Sequence, residues 1–264
     1  MPCPKIISCA IEAAIEASRA IQQVYFNDFE SHIKVDGSPV TEADLISSNI
    51  ILNHLNKTGI PIINEEVEHQ GYALRKQWKQ CWCVDPLDGT KEFIKKNGQF
   101  AVNIALIENG TPVFGIITSP INETLMFGGK DGGVFYTSFE NYLTKVALTP
   151  LDRITGVEPL KIIASNSHHS QQVLDYVEYL PFAYEFIRKG SSLKFMDLAH
   201  NTAQIYPRFN PTMEWDIAAG QCILEALGGG VFCTETKLPL TYNKESLVNP
   251  PFIAISDLSL SQWI

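Results

Sequence analysis

The chain has 264 residues, 45% of them hydrophobic and 19% charged, an ordinary globular balance that excludes wholesale disorder. Acidic residues outnumber basic ones 29 to 20, the formal charge is −9, and no run of Lys and Arg is longer than two. A chain so charged repels phosphate backbones, which excludes generic binding to polymeric nucleic acid. Six cysteines, at 3, 9, 81, 83, 222 and 233, include no C-x-x-C pair and no zinc spacing, so free thiols in a reducing compartment are expected. Glu12, Glu16 and Arg19 break up any secretory apolar core, and no apolar run approaches the ~20 residues of a membrane span. A cytoplasmic protein without a transmembrane segment is the expectation. Its oligomeric state is not legible.

In chain order, Ile6, Ala10, Ala13, Ala14, Ala17, Ile21 and Val24 recur at spacings of three and four, which predicts an amphipathic helix. Gly37 and Pro39 mark a loop. Thr41-Glu42-Ala43-Asp44 then has the form of a capping box, opening a second helix through Leu45, Ile46, Ile50, Leu52 and Leu55. Gly59 and Pro61 close it. Ile62-Ile63 and Trp82-Cys83-Val84 are short apolar strands, each running into acidic residues. The segments 100–107 and 113–117 flank Asn109-Gly110, a hairpin signal because that dipeptide tolerates positive φ. Leu125 to Phe127 and Val134 to Tyr136 form a further pair. Helices followed by hairpins predict an antiparallel sheet packed on helices. Beyond 150 the pattern alternates. Strands are expected at 162–164, 231–232 and 252–255, and helices at 171–179, 191–201 and 216–227, the last ended by Gly228-Gly229-Gly230. Thr149 to Pro159 is the expected boundary between an N-terminal α+β half, 1–150, and a C-terminal α/β half, 151–264.

The chemistry is concentrated in Asp85-Pro86-Leu87-Asp88-Gly89-Thr90. A strand delivers Asp85 to its end, and the chain turns at Pro86, so Asp88 can face the same space with the Leu87 carbonyl between them. Two carboxylates and a carbonyl on a rigid turn suit a hard cation such as Mg²⁺. Gly89 permits close backbone approach, and Thr90 opens a short helix whose free N–H groups favour an anion. Taken alone, the segment equally describes a plain turn. Glu65-Glu66 ends an apolar strand, and Asp216 opens an Ala-rich helix, where a carboxylate also serves as an ordinary dipole partner. Adjacent strand residues point to opposite faces, so Glu65 and Glu66 are not expected to serve one ion. Asp44 fits both a helix cap and a site residue. Ser191 and Ser192, after Gly190, fit either phosphate contacts or helix capping. Lys194 and Arg208 could meet a phosphate or be plain surface charges. His168-His169 reads as a solvated loop, and Trp263 and Ile264 as a docked terminus.

Thr41 to Asp44, Asn64-Glu65-Glu66, Asp85 to Thr90 and Trp215-Asp216-Ile217-Ala218-Ala219-Gly220 together resemble the ordered motifs of the inositol monophosphatase superfamily, lithium-sensitive and Mg²⁺-dependent phosphatases. Asp85 to Phe93, Gly190 to Phe195 and Tyr206-Pro207-Arg208-Phe209 are similar to its bacterial CysQ type, the 3'(2'),5'-bisphosphate nucleotidases, whereas the inositol branch usually continues DGT with Thr-Asn-Phe. The resemblance implies a five-layer αβαβα sandwich of the α/β class. It implies Glu65, Asp85 and the Leu87 carbonyl at one Mg²⁺, and Asp85, Asp88 and Asp216 at a second. Asp44 would be a base or the neighbour of a third, weaker ion. Asp44, Glu65 and Thr90 would be catalytic, Glu65 and Thr90 orienting the water. Asp88, Gly89, Thr90, Ser191, Ser192, Lys194, Arg208 and Asp216 would contact substrate. Val67 departs from the acidic or small residue common after the Glu pair, without touching a ligand. The implied reaction converts adenosine 3',5'-bisphosphate to AMP and phosphate in sulfate assimilation. A sugar-phosphate monoesterase and a non-catalytic nucleotide-binding regulator are the alternatives. Peripheral attachment at the inner membrane is also implied by the resemblance alone.

Overall fold

The computed structural model describes residues 3–34, 37–152, 159–165 and 171–264. His168-His169 and much of the expected boundary segment lie outside them. Helix α1 (Pro4–Tyr25) opens with proline in its first turn, where the missing N–H removes no helical bond. Its Ala10, Ala13, Ala14 and Ala17 are fully buried, and such small residues let the helix lie close to α2 (Glu42–Leu55). Fully burying Ile11 and Ile21 on the same face contributes about 1.5–3 kcal/mol each. A carboxylate at Ala14 would break that packing.

Between these helices, β1 (Ser31–Ile33) and β2 (Pro39–Thr41) pair as an exposed antiparallel ribbon. The buried face of α2 differs from the apolar pattern. Leu45 and Ile46 are exposed, while Ala43, Asp44, Ser47, Ser48, Ile51 and Leu55 turn inward. The reason is hydrogen bonding. Asp44 accepts from Thr41 and Thr90, Ser47 donates to the Pro86 carbonyl and Ser48 accepts from Asn64, so a polar face is satisfied on burial.

Six strands form the first sheet, in sequential order: β3 (Ile62–Asn64), β4 (Gln80–Asp88), β5 (Ala101–Glu108), β6 (Thr111–Ser119), β7 (Thr124–Gly129) and β8 (Gly133–Ser138). All neighbours are antiparallel except β3 and β4, which run parallel because α3 (Tyr72–Arg75) and its loops carry the chain back across the sheet end. Asn109 and Gly110, at φ 48° and 80°, make the tight turn between β5 and β6. One face of this sheet, through Trp82, Val84, Ile104 and Ile116, packs on α1 and α2. Two short helices, α4 (Thr90–Ile94) and α5 (Phe139–Leu143), follow β4 and β8.

The second sheet is mixed. Strands β9 (Leu160–Ala164), β10 (Tyr184–Arg188) and β11 (Ile205–Arg208) are parallel. Strands β13 (Gly230–Cys233) and β15 (Phe252–Ile255) complete it antiparallel, in the order β10-β9-β11-β15-β13. The short β12 (Thr212–Met213) pairs with β14 (Val248–Asn249) beside it. Helix α6 (Gln171–Glu178) covers the outer face through Val177, Ile162, Ile205 and Ile253. Helices α7 (Leu193–Ala199) and α8 (Glu214–Ala226) are buried between the two sheets, in one core with Cys83 and Ile117 of the first and Ile163 and Val231 of the second. The layers are therefore α, β, α, β, α.

Tight contacts set the middle layer. A side chain at Gly220 would put its Cβ 2.2 Å from the Phe195 ring, so α7 and α8 cross at glycine. The C-terminus docks on α6, where Trp263 lies 5.3 Å from Phe182 and its carbonyl accepts from the Tyr176 hydroxyl. All six cysteines are free. Among the described residues no helix is long and apolar enough to cross a membrane.

Candidate active site: a carboxylate cluster beside a polar cavity

The end of β4 is irregular, and that irregularity builds the site. Asp85 pairs with Asn103 and Asp88 with Ala101, so the ladder slips by one residue between them. Pro86 has no N–H to donate, its carbonyl accepts from Ser47 Oγ at 2.6 Å, and Leu87 N–H donates to Asp85 Oδ1 at 3.0 Å. Gly89 follows at φ 96°, and a Cβ there would press on the Gln99 carbonyl and Ser191. Thr90 then donates to Asp44 Oδ1 at 2.9 Å. The other oxygen of Asp44 accepts from the Thr41 amide and hydroxyl, each at 2.7 Å. The cap and the site contact of Asp44 are thus one arrangement.

Glu65 and Glu66 lie in a turn after β3 rather than in it, and the expected opposition of their faces does not hold. Lys34 Nζ reaches both, at 3.4 Å and 2.6 Å. From the other half of the chain, Asp216 accepts from the Met213 amide at 2.8 Å, closing a capping box on α8. Glu65, Asp85 and Asp216 each offer a carboxylate oxygen within 4.8 Å of one another. Burial is the leading cause that raises all three carboxyls above the ordinary range, with mutual repulsion adding to it. Glu65 is pushed up to about 7, against the opposing pull of Lys34. Acidic oxygens from three separate segments, Asp85 buried and Glu65 and Asp216 half-buried, held together against their own repulsion, fit a hard divalent cation. Asp88 is also raised by burial, opposed by Lys194 and by the Ser192 amide and hydroxyl.

Asp88 and Asp216 also line an adjoining cavity of about 120 Å³, with Gly89, Ser191, Ser192, Lys194 and Arg208. Ser191 takes a left-handed φ of 51°, and its Oγ accepts from the Leu193 amide at 3.3 Å. Ser192 turns inward, its N–H donating to Asp88 Oδ2 and its Oγ to Asn103 Oδ1 at 2.6 Å. Lys194 is buried under the cavity floor, its Nζ donating to the Ser191 carbonyl at 2.5 Å and standing 5.0 Å from the centre of the Tyr206 ring. Burial lowers its ammonium to about 8. Arg208 is held at the rim by Asn210 and Pro211 carbonyls. Asp44, Glu65, Asp85, Leu87 and Thr90 stand on the cluster side, not among the cavity-lining residues.

Sequence reasoning missed Lys34, Asn103 and a clasp behind the site. In that clasp Arg75 donates to Asn243 Oδ1 and to the Lys244 and Glu245 carbonyls. The same loop donates two amides and the Lys244 ammonium to fully buried Glu214, two residues before Asp216. The available signal for Asn103 was an amide inside the apolar run of β5. Nothing local distinguishes Lys34 or Arg75.

Carboxylates that can hold a metal ion, set beside a cavity that also brings up Lys194 and Arg208 at the meeting of two sheets, define a layered α/β protein with groups for a cation and an anion side by side. The chain belongs to the inositol monophosphatase family, whose model matches residues 4–258. It is 37% identical over 246 residues to the 3'(2'),5'-bisphosphate nucleotidase CysQ of Shigella flexneri, covering 91% of this chain and 96% of that protein. The crystal structure of CysQ from Bacteroides thetaiotaomicron superimposes with a TM-score of 0.84 at 37% identity, covering 94% of this chain and 96% of that one. The inositol monophosphatase of Anabaena, at 22% identity and a TM-score of 0.72 over 97% of this chain and 93% of that one, shares the fold.

Proposed function

We propose that this chain is a Mg²⁺-dependent 3'(2'),5'-bisphosphate nucleotidase that hydrolyses the 3'-phosphate of adenosine 3',5'-bisphosphate, giving AMP and phosphate. The observation that carries the reading is a carboxylate cluster with two basic side chains close to it in one site. The Glu65–Asp85–Asp216 cluster stands beside a cavity whose Lys194 and Arg208 can meet a second phosphate. A monophosphorylated sugar alcohol has no use for that second positive group. The 37% identity to CysQ nucleotidases over nearly the whole chain supports the same substrate class.

In this reading Glu65, Asp85, the Leu87 carbonyl, Asp88 and Asp216 hold two Mg²⁺ ions, and Asp44 stands near a third, weaker position. Bound there, Mg²⁺ neutralises phosphoryl oxygens and acidifies water. The chain supplies the rest. Thr90, held by Asp44, orients the attacking water, and Glu65 accepts its proton. Gly89 and the amide end of α4 lie against the phosphate being cleaved. Ser191, Lys194 and Arg208 receive the phosphate that stays, Arg208 through a fork of charged donors. Residues 1–150 thus furnish most cation ligands and residues 151–264 most nucleotide contacts. The setting proposed is the cytoplasm.

Phosphate release from adenosine 3',5'-bisphosphate and from inositol 1-phosphate, with Mg²⁺ and with a chelator, tests the reading. Mg²⁺-dependent turnover that favours the nucleotide is expected, and its loss in Asp85→Asn. Faster turnover of inositol 1-phosphate, or release that survives chelation, would refute it.

A further inference from the structure

Asn103 sits in the middle of β5 with 1% exposure, between the core residues Val102 and Ile104. A buried amide in such a strand needs partners for both of its ends. It finds them in the other half of the chain and in Asp88. Its Oδ1 accepts from Ser192 Oγ at 2.6 Å, and its Nδ2 lies 3.4 Å from Asp88 Oδ2 and 3.5 Å from the Trp215 carbonyl. The Ser192 amide donates to the same Asp88 oxygen. Asn103 and Ser192 therefore close a ring on one carboxylate oxygen, joining β5, the turn before α7 and the residue before Asp216.

We infer that Asn103 is a positioning residue for Asp88, fixing the rotation of that carboxylate between the acidic cluster and the substrate cavity. The inference rests on the proposed role of Asp88 as a neighbour of both cation and substrate. Its physical ground is the repulsion within the cluster. Glu65, Asp85 and Asp216 repel Asp88 while Lys194 attracts it from the cavity side, so an aspartate tethered only by its own backbone would turn from the cluster. A lysine or arginine at position 103 would hold it too, but would neutralise the charge a cation requires. A neutral donor holds the carboxylate and leaves its charge in place. Because Ser192 also lines the cavity beside Lys194, the same ring ties the position of Asp88 to the end of the site that receives the uncleaved phosphate.

Asn103→Leu keeps the branched shape and heavy-atom count but removes both ends of the amide, while Asn103→Thr puts a single hydroxyl in its place. Thermal unfolding is followed across a Mg²⁺ titration without substrate, and kcat/KM is measured on adenosine 3',5'-bisphosphate. The Leu variant is expected to need about 10- to 100-fold more Mg²⁺ for its half-maximal rise in melting temperature, with a similar loss of kcat/KM, and the Thr variant to fall between. Ser192→Ala should cost less in the Leu background than in the wild type, since both act through one ring. A wild-type Mg²⁺ midpoint in a folded Leu variant, or full additivity with Ser192→Ala, overturns the inference. If the Leu variant does not fold, the Thr variant decides on the same midpoint. A wild-type protein that responds to Mg²⁺ but does not release phosphate from the nucleotide refutes the proposed function instead.

Discussion

Glu65→Gln should stabilise the metal-free protein and at the same time weaken its response to Mg²⁺. The Glu65 carboxyl stands in a nest of acids within 4.8 Å of Asp85 and Asp216, and it rises from 4.5 to about 7, chiefly through burial. At about 1.4 kcal/mol per pH unit, a displacement of this size corresponds to ~3 kcal/mol lost on ionisation. The side chain is 28% exposed and touches Lys34 at 3.4 Å, so screening lowers the expected gain to about 2 kcal/mol. The sign follows from linkage. A carboxyl raised on folding contributes stability that is complete below about pH 4.5 and is lost as pH rises through about 7. Wild type and variant should therefore unfold together near pH 4.5 and separate above pH 7, the variant melting about 4–8 °C higher. Calorimetry in a chelator at both pH values, repeated with Mg²⁺, measures this. A variant less stable than wild type at pH 8 without metal, or one that Mg²⁺ stabilises as much as wild type, would refute the reasoning.

Thr90→Ala should lower kcat far more than it changes KM, because the hydroxyl held by Asp44 is assigned to the water. Steady-state kinetics on adenosine 3',5'-bisphosphate decides it, and a change confined to KM would contradict that assignment. Arg208→Ala should reduce kcat/KM about ten- to a hundredfold on the bisphosphate and much less on inositol 1-phosphate, the loss of one charge-assisted contact. An equal loss on both substrates would make Arg208 structural. Glu214→Gln, which takes the negative charge and one acceptor oxygen from the Lys244 ammonium and the two amides around it, should destabilise the fold by about 2–4 kcal/mol, read by chemical denaturation. An unchanged midpoint would mean the Arg75 clasp carries little of the packing behind Asp216.

The elements legible in the sequence are those whose cause is local. Asn109-Gly110 fixes a turn by its own φ preference, the alanine ladder of α1 declares its buried face, and Thr41 with Asp44 writes out a capping box. The face of α2 was misjudged because burial there follows hydrogen bonds to Pro86, Asn64 and Thr90, which lie far along the chain. Glu65 and Glu66 were separated by strand alternation, yet the strand ends at Asn64 and a turn aims both at Lys34. At the site, the acidic segments could be quoted from the chain because a carboxylate after an apolar run is conspicuous. Their convergence could not, since Asp216 reaches Asp85 only through the packing of α8 between two sheets. Asn103 meets Ser192 89 positions along the chain and Arg75 meets Asn243 168 positions along it, and no spacing announces such partners.

Helix α8 has a consequence for how the molecule comes apart. It packs on strands of both sheets, with a close approach to the first at Gly115 and one to α7 through Gly220 against Phe195. Neither sheet can loosen while keeping its own apolar face covered, because the cover is shared. Unfolding is then expected as a single cooperative event rather than as the successive melting of two halves. The same geometry places Asp216 at the head of the shared helix, so a cation gripped there acts as a rivet through the whole stack. The concentration of free Mg²⁺ would set the lifetime of the entire fold against proteolysis, and not only the speed of one reaction.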